Sequence, residues 1–152
     1  MPKIVPETIN ARVGSSYPQP FRLASANRRK LALGDAVGLT QFGVNLTRLP
    51  PGEVSSQRHW HSAEDEFVYV LEGALVLITD AGEEPLGPGD CAAFKAGVAD
   101  GHQLVNRGTL DAVYIEVGGR IADDVCVYPD VDLHATKAGF TRKDGTPYAR
   151  GG

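Results

Sequence analysis

Between residues 42 and 117 the chain is written in short apolar stretches cut by turns. FGVNLTRL stops at Pro50-Pro51-Gly52, and EFVYVLEG runs on into ALVLIT across a single Gly73. Asp80-Ala81-Gly82 marks the next turn, EEPL a short strand, and Gly87-Pro88-Gly89-Asp90 another turn; CAAF, HQLVN and DAVYIEV complete the series. β-branched and aromatic runs punctuated this regularly by glycine and proline predict an all-β fold, a small antiparallel barrel or sandwich. EFVYV and ALVLI are apolar at consecutive positions, as expected of central strands covered on both faces.

The flanks read differently. Residues 1–41 carry Pro2, Pro6, Pro18 and Pro20, which exclude a long helix near the start. They are expected to form an irregular N-terminal arm, with room for a short helix over 24–31. In residues 118–152 the alternation is lost. VCVYP is expected to be a last strand and TRKDGTPYARGG a polar tail. The predicted organisation is an arm over 1–41, a barrel core over 42–117, and a C-terminal extension over 118–152 packed on the barrel.

Composition narrows the function classes. A chain of 152 residues suits one domain with a substantial core, and its 18 glycines and 10 prolines favour short elements over long helices. Fifteen basic against nineteen acidic residues leave a net charge of −4, which argues against nucleic acid or an anionic membrane as partner. The basic run Arg28-Arg29-Lys30 reads as solvated surface. No window is apolar for long enough to cross a bilayer, and MPKIVPETINARVG does not resemble a secretory signal. A cytoplasmic address is expected, with Cys91 and Cys126 reduced and Cys91 buried in its apolar run.

Against this background RHWHSAEDEF, residues 58–67, stands out. In an extended chain side chains alternate, so the imidazoles of His59 and His61 share a face and Trp60 takes the other. Glu66 lies one small turn further on, and His102 opens the later strand HQLVN. Glu64 and Asp65 read as solvated residues of the turn. Imidazole nitrogen with carboxylate oxygen suits one divalent transition metal, Fe, Mn, Ni, Cu or Zn. Three histidines and one glutamate would leave coordination positions open, as a catalytic metal requires.

HWHSAEDEFVYVLEG resembles the first motif of the cupin superfamily, with His59, His61, Glu66 and Gly73 at the family's separations. LGPGD followed by FKAGVADGHQLVN resembles the second motif, with Gly89, Gly97, His102 and Asn106 in place. Gly52 lies one residue further upstream than usual, and Lys95 stands where the family has proline. The gap from Gly97 to His102 is two residues longer than usual, so strict counting puts Asp100 at the last ligand position. The spacing to Asn106 favours His102, with Asp100 as its rival, and Asn106 is expected to satisfy backbone groups.

The resemblance implies a double-stranded β-helix with the metal inside it, held by His59, His61, Glu66 and His102. It implies a metal-dependent enzyme acting on a small oxygenated substrate, of isomerase or epimerase type, with a sugar phosphate as one candidate. An Fe(II) dioxygenase and a non-catalytic binding module are the alternatives. Strand parity predicts a mostly apolar lining, with Gln57, Val68, Val70, Leu104 and Asn106 facing inward. Tyr69, Tyr114, Lys95 and His134 are the candidate proton carriers, with Tyr69 on the outward face, and no catalytic residue is assigned. Arg48 and Arg58 could hold an anion but read as surface arginines, and no basic cluster is evident for a phosphate. A homodimer formed by strand addition is the expected assembly.

Overall fold

The computed structural model describes residues 3–149, and among them no α-helix occurs. In chain order the strands are β1 (Arg12–Val13), β2 (Arg29–Ala32), β3 (Phe42–Leu49), β4 (Trp60–His61), β5 (Glu66–Glu72), β6 (Leu75–Thr79) and β7 (Gly82–Leu86). They continue with β8 (Cys91–Phe94), β9 (Gln103–Val105), β10 (Ala112–Gly119), β11 (Cys126–Tyr128), β12 (Leu133–Thr136) and β13 (Gly139–Thr141). Every pairing is antiparallel. One wall is a six-stranded sheet in the order β1-β2-β3-β10-β5-β8; facing it are β7-β6-β9 and β13-β12-β11-β4. The apolar stretches over 42–117 and VCVYP all become strands, each bounded by the glycine and proline turns that flank it.

Two apolar clusters hold the layers together. Leu49, Val68, Val70, Leu75, Leu77, Leu104, Ala112 and Tyr114 fill the space between the large sheet and β7-β6-β9. Tyr17, Cys126, Tyr128 and Leu133 pack beneath the C-terminal strands, with Phe21, Phe140 and Tyr148 against them. The opening between these clusters is where the polar chemistry collects.

Three expectations are corrected. The span 24–31 forms no helix: a single 3-10 turn at Leu23–Ser25 leads into β2, which pairs with β3 from Arg29↔Arg48 to Ala32↔Asn45. A neighbouring strand with free backbone groups outweighs a weak local preference. The N-terminal arm therefore widens the large sheet. Cys91, expected to be buried, is exposed, and the buried cysteine is Cys126. Burial pushes the Cys126 thiol up to about 12. Finally, β5 is central within its sheet but covered on one face only, leaving Phe67, Tyr69 and Leu71 about 40% exposed (38%, 41% and 43%). Within the C-terminal extension, Tyr148 donates its hydroxyl to the Asp132 carbonyl at 2.6 Å, and the Arg142 guanidinium lies over its ring.

Gly73 is the turn most tightly specified. Its φ is +77°, and a Cβ there would lie 2.6 Å from the Asp111 carbonyl oxygen and 2.8 Å from the Ala112 Cα. Gly89 has a φ of +93° with open space around it. Gly89→Ala therefore incurs backbone strain alone, about 1–3 kcal/mol, whereas Gly73→Ala adds a collision with backbone that cannot swing aside. Urea denaturation is expected to show Gly73→Ala as clearly the more destabilised of the two.

Candidate metal centre

Three separate elements bring the imidazoles together. His59 and His102 face each other across an isolated bridge, with His59 N–H donating to the His102 carbonyl at 3.1 Å and His102 N–H to the His59 carbonyl at 2.8 Å. Residues paired in this way project to the same side, and their rings stand 4.5 Å apart between centroids. His61 lies in β4, held by β11 through Cys126↔His61 and Val127↔Trp60. The two imidazoles of the His-x-His both line the cavity, as alternation predicts, while Trp60 lines a smaller adjoining pocket with Lys95 that shares His61, Glu66 and His102. Glu66 opens β5 between Gly118 and Phe94, and Phe94 stacks on the His102 ring at 3.5 Å.

Glu66 Oε2 is the meeting point. It lies 2.8 Å from His102 Nε2, 3.4 Å from His59 Nε2 and 3.5 Å from His61 Nε2. Donor atoms on one ion with bonds of about 2.1 Å stand roughly 3.0–3.5 Å apart in octahedral or tetrahedral arrangement, so these separations are those of ligands sharing a cation. None of the three contacts is aligned as a hydrogen bond, which leaves Oε2 buried without a donor. A buried carboxylate oxygen without a partner is costly. The donor set and this orphaned atom both fit a divalent transition metal.

The outer partners prepare the nitrogens. A carbonyl or carboxylate only accepts, so the contacts of His59 Nδ1 with the Gln57 carbonyl (2.8 Å) and of His61 Nδ1 with Asp124 Oδ2 (2.6 Å) place the proton on Nδ1 in both rings. Each Nε2 then presents a lone pair toward Glu66. Burial alone would push the Glu66 carboxyl up, but in the metal-free site the His102 and His59 imidazoles, when they carry an Nε2 proton, reverse this and hold it well below the usual range. Burial keeps His102 below the ordinary histidine value, favouring the neutral ring that a metal needs.

Asp100 does not join this group, because its Oδ1 accepts the Asp80 backbone N–H at 2.8 Å. The longer gap after Gly97 is absorbed by a bent segment, and the His59–His102 bridge resets the register. Asn106 is fully buried, donating to the Leu49 and Leu110 carbonyls and accepting from the Gly108 N–H. Asp65 caps the Ala96 N–H from an exposed turn. Glu64 differs from expectation: it lines the cavity and accepts the Ile121 N–H at 2.7 Å.

The cavity above the histidines has a volume of about 630 Å³ and is more polar than strand parity suggests. Arg28 and Lys30 lie on its wall, so Arg28-Arg29-Lys30 is not simply solvated surface. With β2 as a strand, Arg28 and Lys30 fall on one face and Arg29 on the other. Lys30 pairs with Glu116, which also accepts from Asn45 Nδ2 at 3.0 Å. The Arg28 guanidinium donates to the Ser55 and Gly14 carbonyls. Gln57 turns away instead of inward, because residues 55–58 are bent; its amide reaches toward the Phe21 carbonyl. Of the candidate proton carriers only Tyr114 lines this cavity, and burial raises its hydroxyl well above the usual value. Arg58 is held by Asp80 and Asp130, and Arg48 by Asp111, all outside it. Sequence reasoning missed Glu116, Lys30, Asp124 and Cys126 at this site. Only the alternation of Arg28 and Lys30 carried a signal.

The cupin domain family model matches residues 45–118. The crystal structure of a sugar phosphate isomerase from the cupin superfamily, from Silicibacter pomeroyi DSS-3, is 51% identical over 97% of both chains with a TM-score of 0.91. A proposed sugar phosphate isomerase from Acidithiobacillus ferrooxidans is 33% identical over 83% of both chains, with a TM-score of 0.72. Among curated relatives, the tetracenomycin polyketide synthase protein TcmJ of Streptomyces glaucescens is 31% identical over 102 residues, 67% of this chain and 66% of that protein. Motif order, fold and kinship agree, and the chain belongs to the cupin superfamily.

Proposed function

We propose that this protein is a metal-dependent enzyme of isomerase type, acting on a small oxygenated substrate of the sugar phosphate class. The proposed ligands are His59, His61, Glu66 and His102, and the proposed cofactor is one divalent ion of Fe, Mn, Ni, Cu or Zn. The observation that carries the reading is the donorless Glu66 Oε2 at the meeting point of three imidazole Nε2 atoms. When bound, such an ion supplies Lewis acidity toward neighbouring carbonyl and hydroxyl oxygens.

The chain's own residues supply the rest. Lys30 and Arg28 give the cavity two cations on one wall, held by Glu116 and by backbone carbonyls, which a bound phosphate would compete for. Glu116 is a cavity carboxylate diagonal to Glu66 on adjacent strands, since Glu116 pairs with Val68 and Gly118 with Glu66. A diagonal of this kind spans roughly 7–8 Å, which leaves room for a small substrate between the two carboxylates. In this reading Glu116 takes the proton from the hydroxyl-bearing carbon beside a carbonyl and returns it to the former carbonyl carbon, while the hydroxyl proton passes to the former carbonyl oxygen. Kinship with the Silicibacter protein supports the substrate class. A second reading, metal-dependent chemistry on a larger aromatic substrate, is favoured by Tyr17, Tyr128, Phe94 and Phe140 on the cavity wall and by kinship with the polyketide synthase protein.

The outer face of β5 supports a homodimer. Phe67, Tyr69 and Leu71 form an exposed apolar row on the large sheet, and a second copy presenting the same row is self-complementary.

Four outcomes are expected. Elemental mass spectrometry of tag-free protein should find about one transition metal per chain, lost in His59→Ala/His61→Ala; absence of metal from the wild type, before and after titration, would remove the site assignment. Pentose and hexose phosphates incubated with metal-loaded protein in D₂O should exchange a carbon-bound proton, read by ¹H NMR. Lys30→Gln should raise the KM by about 10–100-fold, the worth of one charge-assisted hydrogen bond. Exchange of aromatic substrates alone would instead favour the second reading. Sedimentation should give the mass of a dimer for the wild type and of a monomer for Phe67→Asp.

A further inference from the structure

We propose that Asp124 is a positioning residue: it fixes His61 in the Nδ1–H tautomer and aims Nε2 at Glu66, so that a loop outside the ligand-bearing strands sets part of the metal affinity. This rests on the metal reading of the site. Asp124 lies between β10 and β11, beyond residue 118 where the family model ends.

The three imidazoles are not prepared alike. His61 Nδ1 meets a carboxylate oxygen of Asp124 at 2.6 Å, and His59 Nδ1 meets the neutral Gln57 carbonyl at 2.8 Å. His102 Nδ1 is buried with no hydrogen-bond partner among the described residues. A charged acceptor makes the opposite nitrogen the more basic donor to a metal, and only His61 has one at Nδ1 in hydrogen-bond contact.

The aspartate cannot turn freely. Its Oδ1 accepts the Ala63 N–H at 2.8 Å, the Glu64 N–H at 3.2 Å and the Ser62 hydroxyl at 3.4 Å. Ser62 also donates its N–H to the Val125 carbonyl at 3.0 Å and accepts the Val125 N–H on its hydroxyl at 2.8 Å. One oxygen is thus committed to the turn after His61 and the other to the ring. The Asp124 side chain is 10% exposed, so water competes little for either.

Asparagine at this position makes the prediction sharp. With its carbonyl oxygen held by the Ala63 and Glu64 N–H groups, its amide would donate to His61 Nδ1. The ring would then carry its proton on Nε2, where the metal needs a lone pair.

The test pairs a metal-free with a metal-bound readout. Long-range ¹H–¹⁵N correlation spectra of the apo protein, above the pH at which the rings are charged, should give the Nδ1–H tautomer for His61 in the wild type and Nε2–H in Asp124→Asn. Calorimetric titration with Zn²⁺ should show affinity falling about 10–100-fold in Asp124→Asn. Ser62→Ala loosens the same loop without touching Asp124 Oδ2, and should keep both the tautomer and near-wild-type affinity. The same His61 tautomer in wild type and Asp124→Asn overturns the proposal, as does an equal affinity loss in Ser62→Ala. A wild type that binds no Zn²⁺, with the tautomer inversion intact, overturns the metal reading and leaves the positioning of His61 standing.

Discussion

A carboxylate withdrawn from water must be answered by cations or donors, and the architecture of this barrel follows from how Glu66 is answered. Its position at the start of β5, between β10 and β8, turns it inward by the same alternation that buries Val68 and Val70. Having placed a charge there, the fold surrounds it with imidazoles from three elements. The His59–His102 bridge, the β4–β11 pairing and the large sheet each contribute a side that the others could not supply. The two apolar clusters flank this point, so the region of greatest electrostatic cost is braced on both sides by close packing.

Much of this was legible in the residues. The seven apolar stretches of the core could be bounded because their turns are made of glycine, proline and aspartate, whose conformational preferences are local. The clustering of His59, His61, Glu66 and His102 was also within reach, since period-two alternation and turn length are local rules. The Asp100 ambiguity was not resolvable by counting. It was decided by a long-range backbone bridge that pairs His102 with His59 and leaves Asp100 to the Asp80 N–H.

What stayed hidden was non-local. β2 forms because β3 offers it an unpaired edge, and nothing in ANRRKLAL announces that edge; without it the arginine and lysine looked like surface charge. Asp124 belongs to a loop with no regular structure, and its value comes wholly from the turn that folds against it. The apolar run of β5 misled in the other direction. A continuous row of hydrophobic residues fits burial on two sides equally well whether the second side is covered by the same chain or by another.

The arrangement of the cavity wall has a consequence for how such barrels diversify. The three imidazoles and the carboxylate lie on the 59–61 segment, β5 and the 102 segment, whereas Arg28 and Lys30 arrive with a two-strand ribbon paired to the large sheet through β3. The charge of the cavity wall is thereby decoupled from the geometry of the histidine–carboxylate cluster. Grafting a different ribbon onto the β3 edge would recode the charge of the cavity wall while the three histidines and Glu66 stay where they are, so the two can vary along separate stretches of the sequence.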